Sequence, residues 1–251
     1  MLHPMGRTVT DQRADATARV ANGVNDVRAG HADLTERTYR TLKELIVTRE
    51  IPAGGKVTAE GLSQRFGVSR TTVKGAIDQL ASEGLVEVRP QVGTFVRGLT
   101  AKDVRDAWDV RVMLEVTAVR HGVVAATNEQ RHELAALVEE MAPLVQEREY
   151  VRETYERSVA VNRRFHELIV ETADNTYIDG IYRQLAAHFH IANYRSRLGL
   201  RRADLGLAEH RTIAEAYERR DPDTAATTLL HHVQRSRDVV LEAVATLGDV
   251  L

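Results

Sequence analysis

The sequence predicts a mainly α-helical chain of two domains: a short N-terminal domain whose helices are followed by one β-hairpin, and a longer domain built of helices alone. Its 251 residues suit one or two domains. Only 5 prolines and 16 glycines interrupt it, so long segments can remain helical. Strand-like alternation occurs around residues 85–97, whereas apolar residues from Thr100 onward recur at helical spacing.

The N-terminal domain is predicted to follow a disordered tail. Residues 1–33 are mostly small or polar and show no sustained periodicity, which is typical of segments that cannot bury a core. Apolar residues at helical spacing then predict a helix over about 35–50, which ends at the helix-breaking segment 51–55. A short helix over about 59–66 follows, and Gly67 ends it.

A tight turn joins this short helix to a third one. Gly67 can adopt the positive φ that such a turn requires, and Ser69 is a good N-cap for a helix over about 70–83. Alternating residues on both sides of a Pro- and Gly-containing turn predict a hairpin over 85–97. Helix, helix, turn, helix and hairpin in this order predict a winged helix-turn-helix domain over 34–97.

The remaining chain is predicted to be a helical bundle. Residues 98–100 form a predicted hinge, and residues 101–248 form an antiparallel bundle. Capping signals mark where its helices begin, as at Thr100 with Asp103 and at Asp221. The predicted helices cover about 100–126, 127–148, 149–172, 177–198, 203–220 and 222–247.

Composition limits the class of protein. The chain has no cysteine, which excludes disulfides, thiolate metal sites and cysteine nucleophiles. No apolar run approaches the roughly 20 residues that span a bilayer, and the first residues lack the apolar core of a signal peptide, so a cytoplasmic protein without membrane contact is predicted. The formal net charge is -2, whereas residues 36–97 hold ten Lys and Arg against seven Asp and Glu, a balance of +3. Any nucleic-acid site must therefore be a local patch in the N-terminal domain.

The start of the third helix carries residue types that recognise DNA. Arg70, Thr71, Thr72 and Lys74 are predicted to be exposed there. Arginine suits guanine, hydroxyls suit several base edges, and lysine suits phosphate. The alternative is a helical hairpin with ordinary surface arginines. The ordered set of turn, Ser69 cap, basic helix start and hairpin with a glycine at its tip favours a DNA-binding domain.

Polar residues interrupt the apolar stripes of the helical domain in a repeated way. Asn162 and His166 lie one turn apart on the stripe of one helix, so both side chains can reach one point. His210 shares the apolar stripe of the next-to-last helix. On the last helix His232 falls on the apolar stripe, whereas its neighbour His231 falls on the polar face.

Three inward histidines and an inward asparagine can form a metal site, because the interior of a helical bundle is a common place for such sites. Imidazole nitrogens and an amide oxygen suit a borderline divalent cation such as zinc, nickel or manganese. The alternative is that each histidine is an ordinary core residue with its hydrogen bonds satisfied. Arg111 also lies on an apolar stripe, that of the first helix of this domain. An internal ion pair with Glu115 or Asp109 would explain a charged residue at this position.

The N-terminal domain resembles the DNA-binding domain of GntR-type bacterial regulators. The resemblance rests on segments 66–71 (FGVSRT), 80–86 (LASEGLV) and 93–96 (GTFV). It implies that the wing tip, from Gln91 to Gly93, lies near the minor groove. It also implies DNA-facing positions on and before the third helix at Ser69, Arg70, Thr71, Thr72 and Lys74.

This chain departs from the common pattern of that family. The family often has Pro at the place of Thr72, Arg at the place of Lys74 and Glu at the place of Gly75. Many members carry a DNA-contacting Arg where this chain has Glu60. Because lysine lacks the fork that contacts guanine with two donors, Arg70 rather than Lys74 is expected to select a base. A carboxylate repels phosphate, so the contact at position 60 is expected to be absent.

The helical domain resembles the effector domain of the FadR-type branch of that family, called the FCD domain. The matching residues are Asp106–Arg111, Leu114, Glu115, Asn162–His166, Glu209, His210, Ile213, Ala214, Asp221, Ala225 and His232. The resemblance implies a divalent metal held by Asn162, His166, His210 and His232, with zinc first and nickel or manganese as alternatives. It implies that a small carboxylate binds at the open metal positions beside Arg111. The neutral oxygen of Asn162 is expected to hold the ion less tightly than the Asp of many relatives.

The sequence therefore predicts a transcription regulator rather than an enzyme. We expect a homodimer that binds palindromic double-stranded DNA, acts as a repressor as most of the family do, and responds to a small organic acid. One alternative is a metal-responsive regulator in which the ion itself is the signal. A metal-dependent hydrolase is a remote alternative, because no second histidine follows His166 at the zinc-protease spacing and no general base accompanies the cluster.

Overall fold

The chain divides into two compact units between Arg97 and Gly98. The computed structural model describes residues 31–146, 152–196 and 199–247. Both units have the predicted class, a helical unit with a small sheet followed by an all-helical one, so the predicted mainly α fold is confirmed. The first unit contains α1 His31–Val47, β1 Lys56–Val57, α2 Ala59–Phe66, α3 Arg70–Ser82, β2 Val86–Arg89 and β3 Gly93–Val96.

Helix α1 begins earlier and ends earlier than predicted. It starts at His31, so the last three residues of the predicted tail, 1–33, are helical, and residues 1–30 lie outside the described part of the chain. Its end at Val47 is followed by a left-handed residue, Arg49, with φ 61°. The Ile51 N–H then donates to the Leu45 carbonyl at 2.9 Å, which satisfies an open helix carbonyl and reverses the chain.

Local capping builds the turn between α2 and α3. Thr58 and Ser69 are the N-caps, and each side chain accepts a hydrogen bond from a backbone N–H in the first turn of its helix. Gly67 takes φ 67° and ψ 28°, the left-handed conformation that ends α2. Three residues, 67–69, therefore connect α2 to α3, as the sequence predicted.

The sheet has three antiparallel strands in the order β1-β3-β2. In the hairpin, Val86 pairs with Val96 and Arg89 with Gly93. Strand β1 adds to the other edge of β3 and pairs Lys56 with Phe95. The sequence analysis missed β1 because two residues are too few to show an alternating pattern.

Helix α4 lies at the centre of the second unit, where it packs against α6, α7 and α9. Predicted caps start two of the helices: Thr100 with Asp103 forms a capping box, and Asp221 accepts from the Thr224 N–H at 3.0 Å. None of the helices that the structure describes is long and apolar enough to span a bilayer. The helices are α4 Ala101–Ala125, α5 Asn128–Gln146, α6 Arg152–Thr172, α7 Thr176–Ser196, α8 Gly199–Arg219 and α9 Pro222–Leu247.

A glycine lets three helices approach closely at one end of α4. A Cβ on Gly122 would lie 2.8 Å from the Cβ of Thr172 and 3.1 Å from the hydroxyl of Tyr217. The Thr172 hydroxyl donates to the Ile169 carbonyl at 2.6 Å and lies 2.9 Å from the Tyr217 hydroxyl. The close packing of α4 against α6 and α8 at this point therefore requires a glycine at position 122.

Candidate DNA interface and candidate metal centre

The first turn of α3 presents three of the predicted DNA-facing residues to solvent. Arg70, Thr71 and Lys74 are exposed. Ser69 is also exposed, and its Oγ accepts from the Thr72 N–H at 3.1 Å. The N-terminal N–H groups of a helix carry partial positive charge, so this end of α3 can attract phosphate as well as present side chains.

The prediction that Thr72 is exposed is wrong. Its side chain is 1% exposed, because it lies on the inward face of α3 beside Val73 and Ala76, which are also buried. Its hydroxyl lies 2.7 Å from the Ser69 hydroxyl. Thr72 therefore completes the helix cap, and its side chain is turned away from solvent.

The wing tip combines exposed backbone with nearby cations. Gln91 is exposed and has φ 62°, and Gly93 is half-buried with φ 135°. On the flanking strands the Arg89 guanidinium lies 4.9 Å, and the Lys56 amine 5.9 Å, from the centre of the Phe95 ring. Cation–π contacts hold charges in place without neutralising them. The Arg89 guanidinium is also paired with the Glu87 carboxylate, so the positive charge near the tip comes mainly from Lys56.

An acidic side chain lies against the start of α3. Glu60, in the first turn of α2, accepts from Arg70 Nη2 at 2.6 Å, and both side chains are mostly exposed. The sequence analysis considered Glu60 only as a repeller of phosphate. It missed the pair because ten residues separate the partners in the chain and the turn at Gly67 brings them together.

In the second unit, three histidines from three helices converge. His166 on α6, His210 on α8 and His232 on α9 are all buried, and one ligand nitrogen of each lies within 4.8 Å of the others. The Nε2 atoms of His166 and His210 are 3.5 Å apart. Two nitrogens bound to one zinc ion at tetrahedral angles lie about 3.4 Å apart, so these histidines could hold a divalent ion.

Carboxylates orient two of the three rings. His166 Nδ1 lies 2.7 Å from Glu115 Oε2, and His232 Nδ1 lies 2.9 Å from Glu209 Oε2. A carboxylate on Nδ1 keeps the proton there and leaves the Nε2 lone pair free for an ion. Glu209 is held in turn by Arg235 at 2.6 Å.

Burial keeps the histidines ready to bind a cation. It lowers the pKa of His166 to about 4, although the nearby Glu115 carboxylate acts in the opposite direction. Burial, with His232 and His166 close by, also holds the pKa of His210 well below the usual range. Both imidazoles are therefore neutral at pH 7 and offer lone pairs without first losing a proton.

Arg111 lies beside this cluster and is only partly satisfied. Its Nε donates to Glu115 at 2.5 Å, so the internal ion pair considered as the alternative is present. Burial would raise the pKa of Glu115, but the charge of Arg111 and then the interaction with His166 outweigh it and hold the pKa at about 2. The buried Nη1 of Arg111 has no hydrogen-bond partner among the described residues.

A small cavity joins Arg111 to two of the four metal candidates, Asn162 and His166. Its volume is about 20 Å³, and Arg111, Asn162, His166 and Tyr182 contribute to its lining. Asn162 lies one turn before His166 on α6 and is half-buried. The cavity has room for about one water molecule, so a larger anion requires side chains to move.

The sequence analysis identified Glu115 only as an ion-pair partner for Arg111 and did not identify Glu209 as a histidine partner. A histidine on an apolar stripe needs a partner for its second nitrogen. That need could have directed a search for acidic residues on the facing helices. The spacing in the chain gave no signal, because Glu115 and His166 are 51 residues apart.

Comparison with known families decides the class of the chain. Residues 34–96 match the model described as "Bacterial regulatory proteins, gntR family", and residues 106–235 match the FCD domain. The chain belongs to the GntR family of bacterial regulatory proteins. It is accordingly a DNA-binding transcription regulator whose second unit is an FCD domain.

Named relatives of this GntR regulator support the assignment. A probable D-xylose utilization operon transcriptional repressor of Paenarthrobacter nicotinovorans is 31% identical over 75% of this chain and 80% of its own length. The transcriptional repressor RspR of Escherichia coli is 26% identical over 82% of this chain and 89% of its own. These names are those of transcription regulators rather than enzymes.

Solved structures support the fold of this GntR regulator. The Escherichia coli protein McbR/YncC has a TM-score of 0.70 at 19% identity. A GntR-type regulator from Rhodococcus sp. RHA1 has a TM-score of 0.69, also at 19% identity. Each comparison covers 83% of this chain and 97% of the other.

Proposed function

We propose that this regulator is a repressor whose affinity for its operator is controlled by a small carboxylate bound at a metal centre in the FCD domain. The observation that carries the proposal is the convergence of three buried histidines beside a buried arginine with an unused donor. In the proposed site Asn162, His166, His210 and His232 hold a divalent ion, with zinc as the first candidate.

Arg111 is proposed to bind the carboxylate. Its Nη1 is buried, and the residue lines the same cavity as His166 and Asn162. A buried donor without a hydrogen-bond partner costs free energy. A carboxylate bound beside the metal ion would accept a hydrogen bond from Arg111 Nη1 and remove that cost. Four protein ligands on an octahedral ion leave two positions that carboxylate oxygens can take.

On DNA, Arg70 is proposed to contact a base, and Thr71 and Lys74 to contact bases or phosphates near it. Ser69 is proposed to contact the backbone through the helix start that it caps, and the wing tip at Gln91 and Gly93 to approach the minor groove. The exposure of the α3 positions and of Gln91, together with the Lys56 amine near the tip, supports this placement.

We propose that the protein acts as a homodimer on a palindromic site, with its two recognition helices about 34 Å apart. Large apolar side chains on adjacent helices support the dimer: Met113 and Val124 on α4, with Tyr177 and Ile181 on α7, are exposed. Exposed large apolar side chains on neighbouring helices can contribute to such an interaction surface. The relatives named as repressors support repression rather than activation.

Control of DNA affinity requires that the acid bind one arrangement of the dimer more tightly than another. The test uses duplexes selected by the protein from a random library, and measures their affinity for the zinc-loaded and the chelator-treated protein. Each form is titrated with a panel of small mono-, di- and tricarboxylates. The proposal predicts that at least one acid weakens binding of the zinc-loaded form only.

Two outcomes contradict the proposal. Should zinc alone switch DNA binding, with no effect of any acid, the ion is the signal, as in the alternative of a metal-responsive regulator. Should every acid that binds the protein leave operator affinity unchanged, the coupling between the two domains fails and the proposal fails with it.

A further inference from the structure

We propose that Glu60 sets the base selectivity of Arg70 by competing with DNA for its guanidinium. The inference rests on the proposed contact of Arg70 with a base. The Glu60 carboxylate on α2 accepts from Arg70 Nη2 at 2.6 Å at the first residue of α3. Glu60 is thus a positioning residue for a side chain at the start of the recognition helix.

The ion pair between Glu60 and Arg70 contributes too little to folding stability to explain its presence. Glu60 is 63% and Arg70 67% exposed, and solvent screening leaves exposed pairs of this kind with little effect on stability. The two helices also bury apolar residues of their own, such as Phe66 in α2 and Val73 in α3. Among positions that face DNA, an acid is also unfavourable because it repels phosphate.

The ion pair with Glu60 changes how much Arg70 contributes to the binding of operator and of non-operator DNA. On non-operator DNA the paired guanidinium and carboxylate have no net charge, so Arg70 adds little to the release of counterions that drives such binding. A guanine offers two acceptors, O6 and N7, in the geometry of the guanidinium fork. Arginine has five N–H donors, and Glu60 engages Nη2, so the remaining donors can still meet the acceptors of a guanine. Attraction to phosphate depends instead on the net charge that Glu60 cancels.

Glu60 therefore lowers affinity for DNA in general and raises the ratio of operator to non-operator affinity. Glu60 thus limits which DNA sequences the neighbouring Arg70 can bind tightly. Glu60→Gln removes the charge and retains the shape of the side chain, so Arg70 becomes free to bind phosphate at any sequence.

The test measures dissociation constants of the full-length protein for two duplexes over a series of KCl concentrations. One duplex is the tightest binder selected from a random library by the wild-type protein, and the other is its scrambled sequence. The variants are Glu60→Gln, Arg70→Ala, the double variant, and Glu44→Gln. Glu44 is an exposed acid of the same domain, on α1, so its variant controls for the loss of one charge.

We expect Glu60→Gln to tighten binding to the scrambled duplex about threefold to tenfold and to steepen its salt dependence by about one unit per DNA-binding domain. The operator to non-operator ratio should fall, whereas Glu44→Gln should leave it unchanged. With Ala at position 70, Glu60→Gln should lose most of this effect. Thermal unfolding should match the wild type.

Three results would overturn the inference or its basis. An unchanged ratio in Glu60→Gln shows that the pair has no part in selectivity. An equal gain with and without Arg70 shows that Glu60 acts only as a repelling charge. If Arg70→Ala itself leaves operator affinity unchanged, the proposed contact of Arg70 fails, and the role of Glu60 fails with it.

Discussion

The carboxylate of Glu115 binds two buried groups at once, and a single amide cannot replace it. One oxygen accepts from Arg111 Nε at 2.5 Å, and the other lies 2.7 Å from His166 Nδ1. In Glu115→Gln only one oxygen remains, and the NH₂ group faces one of the two donors. Arg111 is 2% exposed, so its charge would be left without compensation.

The folding free energy that Glu115→Gln is expected to lose follows from the pKa of the Glu115 carboxyl group. Glu115 has a pKa of about 2 in the folded chain, against an ordinary value of 4.5 for a glutamate carboxyl group. Each unit corresponds to about 1.4 kcal/mol, so the depression corresponds to about 3 kcal/mol of folding free energy. The loss expected when one partner of a buried ion pair is removed is also about 3–5 kcal/mol.

The assay is urea unfolding of the chelator-treated protein, followed by zinc titration of the folded protein against a competing chelator. We expect Glu115→Gln to lose about 3 kcal/mol at pH 7, and to bind zinc about 10–100-fold more weakly because His166 loses its orienting partner. Since the folded pKa lies below the unfolded one, the stability difference is complete above about pH 5 and shrinks as the pH falls toward 2.

Glu209→Gln is the matched control, because it makes the same chemical change beside His232. Glu209 is 14% and its partner Arg235 40% exposed, so solvent compensates the loss. The control should weaken zinc binding to a similar extent but cost far less stability than Glu115→Gln. Equal unfolding free energies for the two variants would refute the argument from burial.

Three further predictions concern single substitutions. His210→Ala should abolish bound zinc in elemental analysis, whereas His231→Ala, at an exposed position on the same helix as His232, should retain it; equal zinc content in both would disprove the site. Gly122→Ala should lower the unfolding free energy by about 1–3 kcal/mol, because its Cβ would lie 2.8 Å from the Cβ of Thr172; an unchanged urea midpoint would contradict it. Lys74→Ala should weaken operator and scrambled DNA alike and reduce the salt dependence by about one unit, and a loss confined to the operator would indicate a base contact instead.

The confirmed predictions came from two kinds of local signal, which are the residue types at turns and helix ends and the periodicity of apolar residues along helices. Gly67 and Ser69 placed the turn, because left-handed backbone and helix capping are properties of individual residues. Helical periodicity separated His232, which is buried, from its neighbour His231, which is exposed. At Thr72 nearness to the helix start predicted exposure, but three residues after the cap the side chain turns inward.

The sequence by itself determined the order of helices and hairpin, the helix caps and the histidines that face the core. Those features depend on residue type and on a period of 3.6 or 2 residues. Only the tertiary structure decided which partners those residues meet, as Glu115 meets His166 across 51 positions and Glu60 meets Arg70 across ten. Such pairs depend on how helices pack in space, and packing distances are not encoded in the spacing of residues along one helix.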